Sequence, residues 1–263
     1  MTARGPRATP AAAAAIVAAL GLAACSPATT EDTSADAEVP TGEGVVTVLA
    51  AASLTEPLTA LAERYEADNP GVTVRISFGS STTLAQQIAE GAPVDVYASA
   101  GESALDLLPE DVAADAGRAT VARNTVEIAT PPDDPGGVSS LADLADPDLD
   151  VVLCADTVPC GKAADEVLTA AGVTPNVVSR EVDVKATLTK VTLGEADAAM
   201  VYHSDVVSAG DDVRGVEIPD ADNVTLVYPM LWFSQDPDVV GFADLVRGTD
   251  GTSALVEAGF LAP

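Results

Sequence analysis

Short runs of β-branched and apolar residues alternate with segments of helical period along most of the chain, and this alternation constrains the fold more than any other feature. Val45-Val46-Thr47-Val48-Leu49-Ala50 is too short for a helix and reads as a buried strand. Leu54, Leu58, Leu61 and Tyr65 then recur at helical spacing up to the stop signal Asn69-Pro70-Gly71. Residues 72–78 predict a second strand, Leu84 and Ile88 a short helix ending at Gly91, residues 94–98 a third strand and 105–116 a helical stretch. Residues 121–129 read as extended and lead into Pro131-Pro132. A second series follows: strand 151–154, helix 163–171, strand 177–182, helix 184–193 and strand 198–202. A strand at 226–233 and two helices, around 239–247 and 252–258, close the chain. Strand–helix units of this length favour parallel sheets. Two such series with a segment left over predict two α/β lobes between which the chain crosses twice.

Ahead of the first strand, Arg4 and Arg7 precede an Ala-rich apolar run from Ala11 to Ala24. It is too short to span a bilayer but suits the core of a signal peptide, so residues 1–24 are read as one. The run ends in Leu22-Ala23-Ala24-Cys25, which resembles the lipobox of bacterial lipoproteins. On that reading Cys25 is lipidated and becomes the mature N-terminus; the alternative is a secretory signal with an incidental Cys. Residues 25–43 are rich in Thr, Ser, Ala, Asp, Glu and Pro with no hydrophobic period, and predict a disordered tether. The folded part is expected to work outside the cytoplasm, on the outer face of the cell membrane.

Acidic residues outnumber basic ones 41 to 12, a formal net charge of −29. Without a basic stripe the chain has no footprint for nucleic-acid phosphates, and anionic headgroups repel it. Its 48% apolar content is too high for a disordered acidic chain. Enzymatic schemes are short of parts, since His203 is the one His and only Cys154 and Cys160 remain beyond Cys25. In an oxidising compartment that pair is either a disulfide or two free thiols. Two thiols and a distant His, with no C-x-x-C spacing, make a poor metal site, and no cofactor is expected. Cys160 with His203, or Ser204 with His203 and Asp205, are the enzyme alternatives. Sequence neighbours seldom converge as a triad, and there is no G-x-S-x-G elbow.

Four strand-to-helix turns carry small residues or hydroxyls at the helix start: Ala51-Ala52-Ser53, Gly79-Ser80-Ser81-Thr82, Pro159-Cys160-Gly161 and Val182-Asp183-Val184. Such turns lie at the carboxyl ends of strands, where open α/β sheets bind ligands, and each helix start offers unpaired N–H groups to an anion. Capping is the plainer reading of each: Ser53 with Glu56 forms an S-x-x-E box, and Asp183 is an ordinary N-cap. The Gly-Ser-Ser-Thr-Thr turn has more hydroxyls than one cap needs. Lys162 and Lys185, just inside two helices, read as solvated.

Ala50-Ala51-Ala52-Ser53-Leu54-Thr55, Phe78-Gly79-Ser80-Ser81-Thr82-Thr83-Leu84-Ala85-Gln86-Gln87-Ile88 and Gly91-Ala92-Pro93-Val94-Asp95-Val96-Tyr97 resemble the extracytoplasmic molybdate-binding proteins of ABC importers. Val158-Pro159-Cys160-Gly161, Val201-Tyr202-His203-Ser204-Asp205 and Tyr228-Pro229 extend the match. The resemblance implies a type II periplasmic-binding-protein fold, two α/β lobes of mainly parallel sheet flanked by helices with two hinge crossovers. It places lobe I at 44–124 and 226–263, and lobe II at 125–225. It implies no catalysis and no cofactor, a molybdate or tungstate ligand, a membrane permease as partner, and a monomer. The molybdenum is then held only as its oxyanion, by the Ser53 and Ser81 hydroxyls, backbone amides at Cys160 and Val184, and the Tyr202 phenol. Cys160 stands where relatives often have Ala, a change that a backbone contact tolerates. His203 replaces a residue that is commonly small; its imidazole either adds pH sensitivity or is a surface His on a hinge loop. Sulfate and phosphate are the competing ligands. Sulfate is smaller than molybdate, and protonated phosphate needs an acceptor that none of these five groups supplies.

Overall fold

The computed structural model describes residues 44–263; the predicted signal peptide, Cys25 and the tether lie outside the described residues. The first series runs β1 (Val45–Ala51), a 3-10 turn (Ala52–Leu54), α1 (Thr55–Asp68), β2 (Thr73–Gly79), α2 (Ser81–Ala89), β3 (Val96–Ala98) and α3 (Glu110–Ala113). After the long β4 (Gly117–Thr130) come β5 (Val151–Cys154), α4 (Pro159–Ala171), β6 (Val177–Glu181), α5 (Val184–Thr192), β7 (Ala198–Tyr202), α6 (His203–Ala209) and β8 (Arg214–Glu217). β9 (Thr225–Trp232), α7 (Pro237–Arg247) and α8 (Thr249–Glu257) complete it.

The strands lie in the order β2-β1-β3-β9-β4-β7-β5-β6, with β8 also beside β4. β1 runs parallel to β2 and β3, and β5 parallel to β6 and β7, as helical crossovers require. The expectation of mainly parallel sheets needs correcting at the middle. β9 is antiparallel to β3 and β4, and β4 is antiparallel to β7 and β8. β4 and β9 pair directly with each other although the whole second series lies between them in the chain, which leaves along one and returns along the other. β4 also changes partner along its length, pairing with β9 through Thr125 and with β7 from Val126. The result is a two-lobed α/β architecture of mixed sheets flanked by helices.

Local chemistry explains the packing. α1 turns Leu58, Leu61, Ala62 and Tyr65 inward, and the Tyr65 ring meets Phe242 of α7 edge-on at 5.6 Å. Each fully buried side chain of this size contributes about 1.5–3 kcal/mol. Ile128, Leu144, Val151, Leu153, Val167 and Met200 fill the second core. The helix expected over 105–116 is instead a 3-10 turn at Leu105–Leu107 and the four-residue α3, because Pro109 holds an extended ψ of 138° between them. α6 and β8 were not expected: α6 is short, and β8 buries only Val216.

Candidate functional site

The carboxyl ends of β1, β2, β3, β5, β6 and β7 bring residues to one small cavity of about 20 Å³. Its lining comprises Ala51, Ala52 and Ser53; Gly79, Ser80 and Ser81; Ala100; Val158, Pro159 and Cys160; Asp183 and Val184; and Tyr202. Ser53, Ser81, Cys160, Val184 and Tyr202, scattered over 150 positions of the sequence, thus share one enclosure. The only formal charge on this lining is Asp183, whose carboxylate accepts from the Ala186 N–H at 2.9 Å as an N-cap.

The other helix starts are left open. No side chain caps the 3-10 turn after β1, where Ala51 stands at the N-cap, or α4, where Val158 does and Pro159 follows. Ser80 holds the N-cap position of α2, the best residue type for it, yet makes no cap bond. Uncapped helix starts, each end carrying about half a positive charge, thus line the cavity, with the Asp183 carboxylate engaged at its own helix start. An anion is the complement of that arrangement.

The hydroxyls add to it. Ser81 Oγ accepts from the Ala100 N–H at 2.9 Å, and the Tyr97 phenol donates to the Ser81 carbonyl at 2.7 Å. Burial pushes Tyr97 up to about 12, so it stays a donor. Ser53 Oγ lies 3.0 Å from Tyr228 Oη, and it is not the capping serine the S-x-x-E pattern suggests, because it sits inside the 3-10 turn. Ser80 Oγ and Tyr202 Oη are buried with no hydrogen-bond partner among the described residues. A buried hydroxyl left unpaired costs about 1–3 kcal/mol, so two at one cavity point to a ligand that pairs them. Burial, then the nearby Tyr228 and Asp205, hold the Tyr202 phenol well above its usual range, again a donor.

Cys154 and Cys160 form a disulfide with Cα atoms 5.8 Å apart, bracing the turn between β5 and α4. Gly161 is required beside it, since a Cβ there would lie 1.9 Å from the Ala155 carbonyl oxygen. The disulfide also removes the thiol that a Cys160–His203 pair needs. His203, Ser204 and Asp205 diverge: His203 Nδ1 meets Glu127 at 2.6 Å, Ser204 Oγ accepts from Asn124, and Asp205 accepts from the Tyr202 N–H. His203 lines a separate recess with Glu127 and Glu217. Burial raises the Glu127 carboxyl, against the opposing pull of His203.

Lys185 is not solvated as expected. Its Nζ donates to both Glu56 oxygens at 2.8 and 2.9 Å and to Ser208 Oγ at 2.9 Å, with Asp205 at 3.5 Å. Burial raises Asp205 to about 6 despite that ammonium. On the far rim Thr82 Oγ1 donates to the Thr157 carbonyl at 3.1 Å. Both contacts join helices of the first series to the second across the cleft.

A two-lobed α/β frame with hydroxyls and uncapped helix starts lining one cavity suits a solute-binding protein. The chain belongs to the bacterial extracellular solute-binding protein family, whose model matches residues 46–261. Molybdate-binding protein ModA of Mycobacterium tuberculosis (strain ATCC 25618 / H37Rv) is 36% identical over 246 residues, 92% of this chain and 94% of that one. The periplasmic molybdate-binding protein of Azotobacter vinelandii matches with a TM-score of 0.73 at 21% identity, covering 83% of this chain and 99% of the other. The sulfate-binding protein SubI of Mycobacterium tuberculosis H37Rv matches with a TM-score of 0.71 at 17% identity, covering 82% and 86%. These two structures show the shared fold.

Proposed function

We propose that the protein binds molybdate in this cavity, tungstate with it, and delivers the anion to an ABC permease. The observation that carries the reading is the pairing of unpartnered Ser80 and Tyr202 hydroxyls with uncapped helix starts at one cavity. Similarity to molybdate-binding relatives supports the choice of oxyanion. Ser53, Ser81 and Tyr202 donate through hydroxyls, and Cys160 and Val184 through backbone N–H groups; Ser80 joins them. Each charge-assisted bond is worth about 1.5–3 kcal/mol in a dry site, which offsets desolvation of the dianion. Lobe I is formed by 44–124 and 226–263 and lobe II by 125–225. They close about the anion, and the closed form docks on the permease as a monomer. Cys25 anchors the chain through lipid on the outer face of the membrane.

These donors suit any deprotonated tetrahedral oxyanion, and fit to the cavity separates molybdate from the smaller sulfate. A thermal-shift titration with molybdate, tungstate, sulfate and phosphate tests the reading. At a hundred times its dissociation constant a specific ligand stabilises by about 2.7 kcal/mol. The expected result is a rise in Tm with the first two alone; a rise with sulfate or phosphate overturns the substrate, and no rise overturns the function.

A further inference from the structure

Lys185 is the second residue of α5, where the positive end of the helix disfavours a cation, so its tertiary contacts must hold it there. An ammonium has three protons to donate. Three contacts take them: both Glu56 oxygens, at 2.8 and 2.9 Å, and Ser208 Oγ, at 2.9 Å. Asp205 Oδ1 lies 3.5 Å from the same Nζ and has no hydrogen-bond partner among the described residues, although Asp205 is fully buried. Its other oxygen accepts from the Tyr202 N–H at 3.2 Å. A buried carboxylate oxygen without a donor is unfavourable, and the nearest ammonium is engaged elsewhere.

The partners of Lys185 belong to opposite sides of the cleft. Ser208 and Asp205 lie on α6, in the second series with Lys185 itself, whereas Glu56 lies in the first turn of α1. Ser208 Oγ donates to the Asp205 carbonyl at 3.1 Å, which leaves its lone pairs for Lys185. Glu56 stands three residues after Ser53, and Lys185 directly follows Val184, so the pair bridges two of the turns that line the cavity. Parting of the lobes would take Glu56 away from Lys185 and leave Ser208 and Asp205 in place. The freed N–H then has an unfilled acceptor beside it.

We infer that Lys185 is a two-position latch on the cleft: it pairs with Glu56 when the lobes are closed, turns to Asp205 when they part, and so sets how fast a bound anion is released. The inference rests on the lobe closure proposed above. Glu56 holds the closed form. Asp205 eases departure from it, because the ammonium exchanges one carboxylate for another instead of losing its partner.

Release is followed as loss of radiolabelled molybdate from the complex chased with excess unlabelled molybdate, above the pH of about 6 at which Asp205 protonates. In Glu56→Gln, release is expected to be about threefold faster or more, the effect of one part-exposed ion pair, with the anion-free Tm little changed. Repulsion through space predicts the opposite sign, since removing a negative charge near a bound dianion slows its release. Slower or unchanged release in this variant therefore overturns the inference. Asp205→Asn keeps an oxygen for the Tyr202 N–H and removes the second position. It is expected to slow release in the wild-type background but not in Glu56→Gln, where Lys185 has nothing to exchange. Equal slowing in both backgrounds makes Asp205 a source of repulsion only and overturns the switch. Glu56 is exposed, so the sign of its effect decides even if Asp205→Asn does not fold. A wild type that binds no molybdate removes the closure reading itself, and the inference with it. Molybdate bound and released at equal rates by the wild type and Glu56→Gln removes the inference alone.

Discussion

Tyr202 has a buried phenol with no partner in the protein, which sets stability against binding at a single atom. Tyr202→Phe deletes an unpaired hydroxyl worth about 1–3 kcal/mol against the fold. Without ligand the variant is expected to melt at the same temperature as the wild type or higher. Its molybdate affinity is expected to fall by about tenfold or more, the effect of one lost hydrogen bond to a charged group. A lower Tm with unchanged affinity would instead make Tyr202 a structural tyrosine. Ser53, Ser81, Cys160, Val184 and Tyr202 came from the family resemblance and not from local pattern, and the fold places all five on one cavity lining. Ser80 was visible only as part of a hydroxyl-rich turn; what sets it apart is a cap bond it does not make, which no sequence displays. Asn124 sits unmarked in a strand, and its partners Ser204 and Tyr228 lie 80 and 104 residues away. Hydrogen-bond chains closed at that separation are products of the fold, and local pattern cannot reveal them.

At the level of elements, the turn between β5 and α4 is held at both ends, by the Cys154–Cys160 disulfide and by the close approach of Gly161 to the Ala155 carbonyl. Cross-linking so short a loop is worth about 2 kcal/mol. Replacing both cysteines by serine should lower the Tm by several degrees and weaken molybdate binding, since the Cys160 amide loses its brace. Unchanged melting in the doubly substituted protein would show that Gly161 packing alone sets the turn. Most elements could be read from periodicity: the apolar run of β1 and the inward face of α1 each have one solution. The stretch from 105 to 116 could not, because its apolar spacing mimics a helix while Pro109 interrupts the backbone. The antiparallel pairing of β4 with β9 was equally hidden. Strand direction depends on where the chain crosses between lobes, and both orientations bury the same residues.

For the whole molecule, the cleft is spanned on one side by Lys185 with Glu56 and on the other by Thr82 with Thr157. A chain of net charge −29 repels an anion at long range, but salt screens that repulsion beyond about 10 Å. Inside the cleft the balance shifts, because uncapped helix starts and hydroxyls line the cavity and the one carboxylate there, Asp183, is engaged as an N-cap, while Lys185 is held by Glu56 and Ser208. One molybdate is expected at the place where six strands deliver their ends. Crystals grown with molybdate and measured at the molybdenum absorption edge locate the metal directly. One anomalous peak is expected, enclosed by the Ser53, Ser81 and Tyr202 hydroxyls and the Cys160 and Val184 amides. A peak elsewhere on the protein, or none at stoichiometric molybdate, would contradict it.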